Sequence, residues 1–174
     1  MSSPRPVRGF AVRHARALER AWLGFERALG VAAPALARIG WERLERPVAG
    51  AERVVKGALF GCRMCGACAL SATGMSCPMH CPKQLRNGPC GGVSADGACE
   101  VYPQLRCVWV VAYERAEAAG HLEDLSLLQR PVDHRLAGSS SWVNYWQGRD
   151  EGLWADPEGV RTRLPIWPTT GSPA

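Results

Sequence analysis

The 174-residue chain has no uncharged apolar run approaching the ~18–20 residues of a membrane-spanning helix, so no membrane span is expected. It also lacks an apolar signal region. Its first twenty residues carry Arg5, Arg8, Arg13, Arg16 and Arg20, a pattern that argues against secretion and for a cytoplasmic protein. No Ser/His/Asp set, P-loop or dinucleotide fingerprint occurs, and Gly91-Gly92 alone is too short to argue for phosphate binding. The sequence therefore nominates no catalytic residue and no residue for an organic cofactor. Cysteine is absent from most of the chain: all eight residues lie between Cys62 and Cys107. They are a local device, and explaining them is most of the problem.

What is present divides by charge. Residues 1–60 hold eleven basic side chains against five acidic ones, residues 61–107 four against two, and residues 108–174 six against nine, for a net charge of +5. The modest net charge and the interleaved Glu residues argue against a nucleic-acid partner. Val7, Phe10, His14, Leu18, Trp22, Phe25 and Leu29 recur at helical steps. They predict a helix ending at Gly30, a second from Pro34 to Pro47 around Leu36, Ile39 and Leu44, and a third from Val54 to Phe60. Val108, Val111, Ala112 and Arg115 predict another helix, capped by Gly120. Leu122, Leu125 and Leu128 predict a short one ending before Pro131. Beyond it, Trp142, Tyr145, Trp146, Trp154 and Trp167 stand among Gly and Pro in an irregular arm, packed either on the domain or on a partner.

Residues 61–99 differ in kind. They contain seven of the cysteines, seven glycines and three prolines, with few bulky apolar residues. Such a segment cannot build a conventional core and needs cross-links or a metal centre to hold a shape. The expected organisation is thus basic N-terminal helices over 1–60, a cysteine-rich metal-binding core with following helices over 61–130, and a Trp-rich irregular arm over 131–174. The fold class is mainly α with an irregular, loop-rich cysteine/metal-binding core.

Cys62, Cys65 and Cys68 stand at two-residue gaps, a spacing that wraps three corners of a cubane cluster. The fourth ligand is then a distant Cys, often followed by Pro, as Cys77 and Cys81 both are. Cys77, Cys81, Cys90, Cys99 and Cys107 supply that ligand and a second centre, so one or two [4Fe-4S] clusters are expected. The interspersed glycines would let backbone N–H groups approach the cluster sulfurs. A disulfide framework conflicts with a cytoplasmic setting. Structural zinc in four-cysteine sites remains an alternative, as does one cluster beside a zinc or a few free thiols. His80 reads as a donor behind the ligands or a surface residue. Lys83 and Arg86 read as exposed basic side chains.

At Cys62 to Trp109 the sequence becomes specific. The residues Cys65-Gly66-x-Cys68, Thr73-Gly74, Cys77-Pro78-x-x-Cys81-Pro82-Lys83, Leu85 to Gly92 (Leu-Arg-Asn-Gly-Pro-Cys-Gly-Gly), Cys99-Glu100-Val101 and Cys107-Val108-Trp109 resemble one family. It is the cysteine-rich C-terminal domain family of methylenetetrahydrofolate reductase, which includes the small subunit of two-subunit bacterial reductases. Pro131-x-Asp133 and Ser140-Ser141-Trp142 through Gly148-Arg149-Asp150 extend the likeness to roughly residues 60–150. The resemblance implies a non-catalytic iron–sulfur subunit, sometimes described as zinc-containing, beside a flavoprotein subunit that carries FMN or FAD and acts on methylenetetrahydrofolate. It also implies heteromeric assembly, possible exchange with another electron carrier, and a place in one-carbon metabolism. A (β/α)8 barrel needs ~250 residues, so any such catalytic domain is a separate polypeptide. A zinc-stapled scaffold and an independent ferredoxin-like carrier are the rival readings.

Overall fold

The computed structural model describes residues 14–156. Val7, Phe10 and Trp167, named above, lie outside them. Two long helices open the described chain: α1 (Ala15–Ile39) and α2 (Trp41–Phe60). They are separated by Gly40 alone, whose φ of 95° turns the chain and whose N–H closes α1 onto Leu36 and Ala37 carbonyls. This differs from the three helices that Gly30, Pro34 and Pro47 predict. Both prolines lie inside helices. Each removes one i→i−4 bond, but the carbonyl acceptors so freed belong to Gly30 and Arg43, which are exposed and open to water. Packing on the other side then carries the helix through.

One face of α2 buries Glu52, Lys56 and Phe60, spaced four residues apart. Phe60 enters a core with Leu70, Met75, Cys77 and Met79, against which Leu18 and Trp22 of α1 pack. The next helix, α3 (Val108–Ala119), has its predicted bounds, and Gly120 at φ 79° caps it. Val108, Trp109 and Ala112 pack with Cys81 and Cys107 in a second core. Leu122–Ser126 form a 3-10 turn that lies against α3.

Between α2 and α3 the chain has only short 3-10 turns, Leu70–Thr73 and Pro78–His80. Among the described residues there is no strand. The two β-bridges, Ala98 with Arg106 and Gln129 with Trp154, are isolated. The architecture is mainly helical around an irregular cysteine-rich middle.

The Trp-rich segment folds back onto its own chain. It includes a short helix, α4 (Ser141–Trp146), with Ser140 Oγ capping Val143 N–H. Trp142 packs against Phe25 and Trp22 of α1 with tilted rings, the centroids 4.7 and 6.1 Å away. Trp154 is buried in a third core with Ala67, Ala69, Ala72, Leu127 and Leu153. Arg149 pairs with Glu45 of α2 at 2.8 Å. No helix among the described residues is long and apolar enough to cross a membrane.

Candidate metal centre

All eight cysteines are free thiols, and the fold divides them into two sets of four. Cys62, Cys65, Cys68 and Cys77 line one hollow. Cys81, Cys90, Cys99 and Cys107 line another. Only Pro78–His80 separates the last residue of the first set from the first of the second. Four extended residues span at most about 14 Å, and the 3-10 turn shortens that. Among the described residues, no three Cys, His, Asp or Glu side chains close on a single ion-binding point.

The first set starts where α2 stops. Gly61, in the left-handed conformation at φ 65°, bonds back to the Gly57 carbonyl, and Cys62 N–H bonds to the Lys56 carbonyl. Met64 N–H then donates to Cys62 Sγ at 3.3 Å, a backbone hydrogen bond to sulfur of the kind that tunes thiolate metal centres. Gly66, at φ 80°, lies so close to the 134–136 turn that a Cβ there would meet the Leu136 carbonyl oxygen at 2.2 Å. Asn144 of α4 reaches in to donate to the Gly66 carbonyl at 2.8 Å. The loop that brings in Cys77 is held by Arg115 of α3. Its Nη1 donates to Gly74 O, Met75 O and Ser76 Oγ, all within 3.1 Å.

Two buried cations border this set. Arg86 is 5% exposed and lines the hollow. Its Nη2 donates to Ala67 O at 3.2 Å, and its Nη1 lies 3.9 Å from Cys65 Sγ. The sequence presents Arg86 as an exposed side chain. The fold corrects that, because the loop between Cys81 and Cys90 folds its side chain inward. Lys56, fully buried, lines the hollow too. Burial opposes its charge, but the Glu52 carboxylate and a thiolate at Cys68 outweigh burial and hold its pKa above the usual value. Burial also pushes Cys62 up to about 11 and raises Cys77 further.

The second set is built by loops and the start of α3. Cys107 is the N-cap residue of α3, where the first helical N–H groups have no intrahelical partner. Its own N–H bonds to Gly97 O, and Cys99 N–H bonds to Leu105 O, so Cys99 and Cys107 flank one tight loop. Cys90 lies at the exposed edge. Its Sγ is 3.6 Å from Glu100 Oε1 and 3.9 Å from Lys83 Nζ, and Lys83 and Glu100 form an ion pair. His80, between the two sets, is buried and donates through Nε2 to Gly61 O at 3.1 Å, tying the link to the end of α2.

Each hollow is thus lined by four thiols, with Cys77 buried in the first and Cys81 and Cys107 buried in the second. A family model of the methylene-tetrahydrofolate reductase C terminal matches residues 41–135, more than half of the chain. The chain belongs to that family. The matched span starts at α2 and contains all eight cysteines, Arg86, and the Asn87 to Gly92 motif. No curated protein and no solved structure matches the chain.

Sequence reasoning passed over Lys56 and Arg86 as parts of the site. Glu52 and Lys56 stand four residues apart, a spacing that is equally common on exposed helix faces. One signal was available: Lys56 and Lys83 are the only lysines in the chain, and one falls beside each set of thiols.

Proposed function

We propose that this member of the methylenetetrahydrofolate reductase family is the accessory iron–sulfur subunit of a two-subunit reductase. It would relay electrons to or from a flavin-bearing catalytic subunit in the cytoplasm. The division of eight thiols into two sets of four carries this reading. The donor chemistry fits, since four cysteine thiolates are the usual ligands of a [4Fe-4S] cluster. Cys62, Cys65, Cys68 and Cys77 would hold one, and Cys81, Cys90, Cys99 and Cys107 the other. Such clusters supply one-electron storage at potentials set by charge, hydrogen bonding and exposure.

The chain's own residues supply the rest. Exposed Lys83 and Glu100 beside Cys90 would leave the second centre within reach of a partner's redox group. Buried Phe60, Leu70 and Met64 give the first hollow an apolar lining beside its thiols. Met64 N–H and Arg86 present donors to its sulfurs. The short link from Cys77 to Cys81 keeps the two sets within one electron-transfer step of each other.

The test is electron exchange with the flavin subunit. The anaerobically prepared chain, mixed with that subunit in its reduced state, should lose visible cluster absorbance within one turnover. No bleaching in a complex that forms and is active would favour a zinc-stapled scaffold, which can use the same four-thiol sets.

A further inference from the structure

The most unusual polar group in the molecule is the ion pair under the first set of thiols. Lys56 and Glu52 are 0% and 1% exposed, and Lys56 Nζ lies 2.7 Å from Glu52 Oε1. Lys56 also donates to Ser141 Oγ at 2.7 Å. Ser141 and Ser140 hydroxyls donate to the two Glu52 oxygens at 2.5 and 2.6 Å. The Trp22 and Trp142 rings flank the ammonium, each with its centroid 4.9 Å away. Three separate segments, α1, α2 and α4, thus converge on one lysine.

Nothing in packing alone calls for this. Replacing a buried ion pair by apolar residues of similar volume is often neutral or stabilising. What distinguishes this pair is its place. Lys56 and Glu52 both line the hollow of Cys62, Cys65, Cys68 and Cys77, and cysteine thiolates there would favour the Lys56 ammonium, as Glu52 does. Glu52 has both its oxygens taken up by the two serines and Lys56, so the ammonium is the cation of the pair set beside the thiols. The local backbone sharpens the need. Cys62 follows the C-terminus of α2, whose carbonyl end carries partial negative charge and disfavours a thiolate. Lys56, whose own carbonyl accepts from Cys62 N–H, sits where it offsets that.

We infer that Lys56 is a positioning charge for the first centre: held by Glu52, Ser140, Ser141 and the two Trp rings, its ammonium favours the reduced state of that centre over the oxidised one. Reduction adds one negative charge to a centre already negative through its thiolates, so a fixed buried cation stabilises the reduced form more. The inference rests on the iron–sulfur reading given above. Arg86 adds to the same effect from Cys65's side, and among the described residues no carboxylate pairs with it.

The experiment is a dithionite redox titration followed by electron paramagnetic resonance on the anaerobically purified full chain. Its variants are Lys56→Met, Lys56→Arg, and the double variant Lys56→Met/Glu52→Gln, which removes both charges at nearly constant volume. Lys56→Met should shift the reduction equilibrium of one centre against reduction by about tenfold, about 59 mV for a one-electron couple, and leave the other unmoved. The double variant should shift the same centre in the same direction, because the nearer charge is the one lost. Lys56→Arg should restore most of the wild-type value. Loss of one cluster in both Met-containing variants but not in Lys56→Arg also supports a charge requirement. Equal loss in all three, or unchanged potentials in loaded variants, overturns the inference while leaving the iron–sulfur reading intact. Zinc without iron in the wild-type chain overturns both.

Discussion

Asn87 and Gln129, 42 positions apart, are paired through two hydrogen bonds: Asn87 Nδ2 donates to Gln129 O at 2.7 Å, and Gln129 N–H donates to Asn87 Oδ1 at 2.8 Å. The amide side chain copies the edge of a strand. It pins the segment after α3, which Gln129 and Arg130 in turn tie to Leu153 and Trp154. The Asn-Gly-Pro-Cys-Gly-Gly motif therefore joins the second set of thiols to the C-terminal segment. Gly88 is part of the same junction, since a Cβ there would lie 2.4 Å from the Trp109 ring.

Removing that amide should be costly out of proportion to its exposure. Asn87→Ala loses both bonds and is expected to destabilise the loaded protein by about 1–3 kcal/mol. Asn87→Asp keeps the acceptor for Gln129 N–H and should fall between. Urea midpoints at matched metal content measure this. An Asn87→Ala midpoint equal to wild type would refute the pairing as a stabilising contact.

Two glycines should respond in opposite ways to a methyl group. At Gly66 the obstacle is backbone, the Leu136 carbonyl at 2.2 Å, and φ is +80°. Gly66→Ala must displace the 134–136 turn as well as hold a left-handed residue, and it should cost more than the ~1–3 kcal/mol of backbone strain alone. At Gly92 the obstacle is the Glu100 carboxylate, which is 40% exposed and free to swing. Gly92→Ala should stay within about 1 kcal/mol. Thermal unfolding of the two variants separates them, and similar losses would contradict the distinction.

Asp150 gives a pH signature. It is 6% exposed, and burial raises its pKa from 3.8 to about 6, with Glu151 adding to the effect. Because the folded state then holds the proton more tightly than the unfolded state, Asp150 favours folding at pH below 4. That contribution is lost as pH rises from about 4 to about 6. The loss should amount to about 2–3 kcal/mol. Asp150→Asn abolishes it, so the stability of Asp150→Asn minus wild type should grow over that window and level off above it. A constant difference from pH 4 to 7 would show that Asp150 titrates normally.

Much of the helical frame was legible in the sequence because its signals are local. The 3.6-residue pattern from Val108 and the glycine at 120 give α3 its bounds. Pro34 and Pro47 misled because a proline's effect depends on whether the freed carbonyl meets water, which sequence does not show. The concentration of cysteine was equally plain, and Cys62, Cys65 and Cys68 do share one hollow. Which distant cysteine joins them was not readable. That Cys77 does so depends on the Leu70–Thr73 turn and on Arg115 reaching back from α3. Long-range burial was hidden too. Glu52 and Lys56 look like a surface pair until Ser140, Ser141 and Trp142 close over them. The aromatic residues at 142 and 154, left between domain and partner by the sequence, cover this chain's own interior.

The central claim is that each set of four thiols holds its own iron–sulfur cluster, and metal analysis tests it most directly. Anaerobic purification followed by iron, sulfide and zinc determination should give about eight iron and eight sulfide per wild-type chain. The Cys99→Ser variant, altered only in the second set, should retain about four of each. Zinc in place of iron, with no sulfide, would contradict the account.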